Sequence, residues 1–257
     1  MITNAALSPP RDAQRRRVYL AETPLGGRRL PLLADCAHFA DQVVGSLWWQ
    51  ARFPAHDLAG VPRLRPGQGA RHAFFRIDPD GPTITLPRRY RTTGVVLHEL
   101  CHWALADDDD LPNHGRTFAR LLLDATNEFG GGSRGDALAA NYAAHRVHVG
   151  RPPRTGPDGR LRYGWDERLR LGRGRVLAVH HRAAGGEPVC TSGRFEGWGR
   201  NGSTVRIRVA HELLTLPAAD VWDVRAVRAE AEIREARGVP LDGVTTAASV
   251  PQEAAHR

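Results

Sequence analysis

Apolar residues recur at three-to-four spacing through Cys36, Phe39, Ala40, Val43, Val44 and Leu47, which predicts an amphipathic helix over residues 34–49. A shorter helix is expected over residues 12–22. Residues 54–69 are rich in Pro and Gly and read as loop. The β-prone runs at 73–77 and 83–86 flank Asp78-Pro79-Asp80-Gly81, where Pro presets φ and Gly accepts a positive φ, so a hairpin is predicted there. Thr92 or Thr93 is placed to cap a helix over 94–106. Asn113 is placed to cap another over 114–129, with Phe118, Leu121, Leu122 and Ala125 as its apolar stripe. A further helix is expected over 136–145.

The pattern changes after residue 150. Residues 151–174 repeat Gly, Pro and Arg without periodicity and read as a linker. Strands are predicted at 175–181, 204–209, 213–216 and 221–225, the second alternating Val205, Ile207 and Val209 with Arg206 and Arg208. Asn201-Gly202 is the strongest hairpin-turn signal in the chain. The expected organisation is therefore α+β: a domain over 1–150, a linker over 151–174, and a small basic β-rich domain over 175–228, for which an SH3-like barrel is one candidate form. A charged helix starting near residue 226 and a disordered tail would account for 229–257.

The 257 residues, 41% of them apolar, suffice to bury a core, which excludes wholesale disorder. No apolar run reaches the roughly 18 residues of a membrane helix, and residues 1–17 lack the apolar stretch of a signal peptide, so a cytoplasmic protein without a membrane partner is expected. Cys36, Cys101 and Cys190 lie far apart, leaving histidine or carboxylate to hold any metal. The net charge of +8 is uneven: 18 Arg face 15 acids over 1–150, 13 face 5 over 151–210, and 5 face 8 over 211–257. The middle block favours polyanions, nucleic acid among them, if Phe195, Trp198 and Trp222 stack bases rather than fill a core.

The chemistry concentrates at Val95-Val96-Leu97-His98-Glu99-Leu100-Cys101-His102-Trp103. On a helix His98 and His102 are one turn apart on the same face, so both imidazoles can reach one ion. With a third protein ligand, zinc would keep one position for water and lower its pKa from about 15.7 to about 7. Glu99 is then the general base, taking the water proton during attack on a carbonyl and passing it to the leaving amine. At this chain's composition of 12 His and 11 Glu, chance placement yields H-E-x-x-H only about 0.02 times. His114, 12 residues beyond His102, is a candidate third ligand; Asp108 and Glu128 compete with it. An oxyanion stabiliser is also required, and Tyr142, His145 or an arginine are candidates by residue type.

His98-Glu99-Leu100-Cys101-His102-Trp103 followed by His114-Gly115-Arg116-Thr117-Phe118 resembles the SprT-like (Spartan-type) zinc metallopeptidases. Those enzymes pair HExxH with a later H-G-x-x-F or H-G-x-x-W. The stretch from Asp12-Ala13-Gln14-Arg15 to His148 also resembles a family of actinobacterial metallohydrolases. The resemblance covers about the first 150 residues. It implies a zincin-like domain with zinc on His98, His102 and His114, Glu99 as base, and a peptide or protein substrate added as a strand beside residues 83–86. The cysteine zinc ribbon that SprT-like proteins often carry is absent from this chain, so cleavage linked to DNA does not carry over. The main alternative is a nucleic-acid-binding protein with a structural or vestigial metal site; hydrolysis of a non-peptide amide is a third reading.

Overall fold

The computed structural model describes residues 10–227, except 24–25, 57–59, 68, 70 and 109. The helix and tail expected at the C-terminus therefore lie outside the described residues. The first helix, α1 (Pro10–Glu22), turns Val18 and Ala21 into the core. The second, α2 (Leu33–Val44), buries the expected stripe of Cys36, Phe39, Ala40, Val43 and Val44. It stops short of the predicted end. Gly45-Ser46 breaks the helix, and Ser46 Oγ accepts from the Trp49 amide at 3.2 Å to start a separate turn, α3 (Leu47–Gln50). The break rotates Leu47 off the stripe, leaving it 85% exposed, while Trp49 is fully buried.

Three strands follow: β1 (Arg63–Pro66), β2 (Phe74–Asp78) and β3 (Gly81–Leu86). The β2–β3 hairpin matches expectation, with Gly81 at φ 108 in the turn. β1 falls in the stretch expected to be loop. It lies parallel to β3, Leu64 opposite Ile84, so β3 occupies the middle of the sheet and buries Thr83, Ile84, Thr85 and Leu86. Residues 83–85 are thus paired on both sides and Leu86 with β1, so 83–86 cannot be the strand that accepts a substrate. The free edge on the hairpin side is β2.

Thr92 caps α4 (Thr93–Ala104), its hydroxyl accepting from the Val95 amide at 3.3 Å. α5 (Arg116–Phe129) and α6 (Arg134–Ala144) complete the first unit. Its core joins Ile84 and Leu86 of the sheet to Val96, Leu97 and Leu100 of α4 and to Phe118, Leu121 and Leu122 of α5.

The expected linker instead carries structure. β4 (Arg154–Thr155) pairs with β5 (Leu161–Arg162), and α7 (Trp165–Leu171) sends Trp165 and Leu169 into the second core. Periodicity missed this helix because its buried residues include Asp166, Glu167 and Arg168, which an apolar template counts as surface. A five-stranded antiparallel sheet follows, in the order β10-β6-β7-β8-β9. It comprises β6 (Val176–Arg182), β7 (Pro188–Trp198), β8 (Thr204–Val209), β9 (Glu212–Pro217) and β10 (Val221–Ala226). Asn201 and Gly202 turn the chain between β7 and β8 at φ 59 and 66. Val205 and Ile207 are buried while Arg206 and Arg208 are exposed, as their alternation predicts. Phe195 and Trp222 are buried, and Trp198 packs at 6.0 Å and 6.1 Å from the rings of Phe195 and Trp165. Phe195 thus belongs to the core of the C-terminal unit and Trp198 packs against it, whereas Trp222 is buried outside that core, 6.5 Å from the His180 ring. No helix among the described residues is long and apolar enough to cross a membrane.

Candidate metal centre

Helical geometry alone brings His98 and His102 onto one face of α4; the third ring arrives by a longer route. After α4 ends the chain returns toward it, and His114 takes a left-handed backbone conformation at φ 57 that aims its ring at the other two. The three Nε2 atoms lie 3.2 Å (His98 to His102), 3.1 Å (His102 to His114) and 3.2 Å (His98 to His114) apart. Tetrahedral donors about 2.0–2.1 Å from a zinc ion would be about 3.3–3.4 Å apart, so the triangle fits such an ion closely. Where all three Nε2 atoms turn lone pairs to this focus, they repel one another unless a cation sits among them. Among the described residues, these are the side chains whose ligand atoms converge in this way.

The surroundings orient the His98 ring and keep His102 and His114 neutral, the form that ligates a metal. His98 Nδ1 donates to Glu22 Oε2 at 2.7 Å, which leaves its Nε2 lone pair free. Burial opposes protonation of His98, but the Glu22 carboxylate outweighs it and raises the pKa. Burial, reinforced by the neighbouring rings, holds His102 well below the ordinary histidine value and takes His114 down to about 3. Phe118 packs 4.4–4.9 Å from all three rings, one turn into α5, which accounts for the aromatic residue of H-G-x-x-F.

Glu99 sits beside the triangle, 4% exposed. Burial raises its pKa, partly offset by His98 and by a hydrogen bond from the Phe75 backbone of β2. The metal-side helix and the free sheet edge therefore meet at the expected base. An open groove of about 1470 Å³ runs along this junction, and its lining includes Arg15, Tyr19, Phe74, Phe75 and His114.

Other expected residues lie elsewhere. Asp108 is ion-paired with Arg168 of α7 and does not join the triangle. Glu128 is exposed on the last turn of α5. Tyr142 is buried in the first core, and His145 caps the end of α6 away from the groove lining. Two residues of α1 that sequence reasoning passed over stand at the centre instead. Glu22 is one; the other is Tyr19, whose ring lies 5.5 Å from that of His98 and 5.0 Å from that of His114. Their three-residue spacing puts them on one helix face, but no local signal tells which distant partner that face meets.

The N-terminal cap of α5 also differs from expectation. Asn113 does not supply it, and the capping position is Gly115, which has no side chain. The amides of Arg116 and Thr117 instead donate to the Glu167 carboxylate at 3.0 Å and 2.7 Å. Comparisons of the chain with models of protein families, with curated proteins and with solved structures found no match.

Proposed function

We propose that this protein is a zinc-dependent hydrolase, a zincin-like metallopeptidase that cleaves peptide bonds with Glu99 as general base. The observation that carries this reading is the convergence of three Nε2 atoms within 3.2 Å of one another, next to a buried carboxylate on the same helix. His98, His102 and His114 would hold the ion. Zinc bound there would supply Lewis acidity and a water acidified to about pKa 7. Glu99, its pKa raised by burial, accepts the proton that the attacking water gives up and returns it to the departing amine. Tyr19, whose ring lies 5.0 Å from that of His114, and Arg15 line the groove wall and are the candidate donors for the carbonyl oxygen as it gains negative charge.

The peptide reading is favoured over a small amide by β2, whose outer edge faces the groove and can pair with an extended chain. It is favoured over a nucleic-acid-binding protein by the burial of Phe195 in the C-terminal core and the packing of Trp198 against it, which take these two rings out of service as a stacking platform. The direct test is bound zinc, measured on the purified full chain, together with hydrolysis of an unstructured protein substrate. About one zinc per chain and cleavage that a chelator abolishes are expected; a metal-free, inert chain would overturn the reading.

Two neighbours of the triad should affect different quantities. Tyr19→Phe is expected to lower kcat about 10²-fold with little change in KM or zinc content, read from steady-state kinetics. Glu22→Ala removes the partner of His98 Nδ1 and should weaken zinc affinity about 10- to 100-fold in a chelator competition.

A further inference from the structure

We propose that the C-terminal unit is part of the metal centre, with Glu167 of α7 acting as a positioning residue that holds His114 on the focus it shares with His98 and His102. This rests on the reading of the three histidines as a metal site. His114 occupies the left-handed region at φ 57, which is disfavoured for a residue with a Cβ and persists only where surrounding contacts over-determine it. The following helix begins with no local side-chain cap. Glu167 supplies one from 50 residues away: one oxygen accepts from the Arg116 amide at 3.0 Å, the other from the Thr117 amide at 2.7 Å and its hydroxyl at 2.6 Å. A carboxylate at the positive end of a helix makes short, charge-assisted bonds, and these fix the backbone directly after the ligand.

Gly115 fits the same purpose. A Cβ there would sit 2.7 Å from Glu167 Oε1 and 2.8 Å from the Pro112 carbonyl oxygen, so only glycine lets the carboxylate come this close. The next residue of α7 grips the middle of the same loop. Arg168 pairs with Asp108, six residues after His102, and is anchored by Asp223 of β10 at 3.4 Å. Two adjacent buried side chains of one unit thus hold the segment that joins the second and third ligands of the other at its midpoint, Asp108, and just beyond its end, at Arg116 and Thr117.

Metal affinity, measured on full-length variants by zinc competition and by the absorption of bound cobalt(II), tests this. Glu167→Ala should bind about 10- to 100-fold more weakly and give an altered cobalt spectrum. Glu167→Gln, which keeps an acceptor oxygen, should fall between that variant and the parent, and it decides the matter if the alanine variant does not fold. Val179→Ala removes apolar packing in the C-terminal core and should leave affinity and spectrum unchanged. Parental affinity in both Glu167 variants would overturn the proposal. An equal loss in Val179→Ala would also overturn it, since global stability would then explain the effect. If the folded parent chain binds neither ion, the metal-site reading itself fails.

Discussion

Glu99→Gln is expected to retain zinc and lose hydrolysis by about 10²- to 10⁴-fold, the range a positioned general base contributes. The substitution is close to isosteric, and the three imidazoles that form the triangle do not include residue 99. The amide cannot accept the proton from water, so the loss should fall on kcat rather than on KM. Glu99 is buried with its pKa raised, and replacing a partly desolvated carboxylate by a neutral amide should not destabilise the fold. Zinc content by atomic absorption and turnover on one preparation read both halves of the expectation. Loss of zinc would make Glu99 a ligand or an organiser of ligands; unchanged turnover would place the base elsewhere.

His114→Ala should produce the opposite signature, with zinc lost and activity lost as a consequence. The remaining pair, His98 and His102, leaves two protein donors, short of the three that catalytic zinc sites use. The loss of affinity should exceed the roughly 10- to 100-fold that removal of an outer partner costs. Alanine keeps a Cβ at φ 57, so the backbone demand at this position is unchanged and the effect reports on the ring. Equilibrium dialysis against zinc measures it. Full occupancy would require another donor, and the two obvious ones are badly placed: Asp108 is engaged by Arg168, and Glu128 faces solvent.

Much of this site can be read along the chain because its central pair is local. A period of 3.6 residues is enough to put His98 and His102 together, and Thr92 marks where their helix begins. His114 is legible only through its company, Gly115 and Phe118, whose roles appear once the loop is seen to fold back. Glu22 and Tyr19 are not legible, since what makes them matter is a contact across 76 residues or more. The fold shows the same division. The β2–β3 hairpin and the Asn201-Gly202 turn are short-range and are found where expected. β1 escapes because Arg63-Leu64-Arg65-Pro66 offers one apolar residue and no alternation; it becomes a strand by pairing with β3. α7 escapes because its Asp-Glu-Arg run is buried through polar contacts that a hydrophobic pattern does not register.

The hydrogen bonds that Glu22 accepts from His98 and Glu167 from Thr117 span 76 and 50 residues, and the second imposes an order on self-assembly. A nascent chain that has emerged only as far as α5 possesses all three imidazoles, yet still awaits the carboxylate that caps that helix. Closing such distant loops is slow relative to forming local helices. High-affinity capture of the ion should accordingly be among the last events of biosynthesis, after both cores have condensed rather than as the nucleus around which they form.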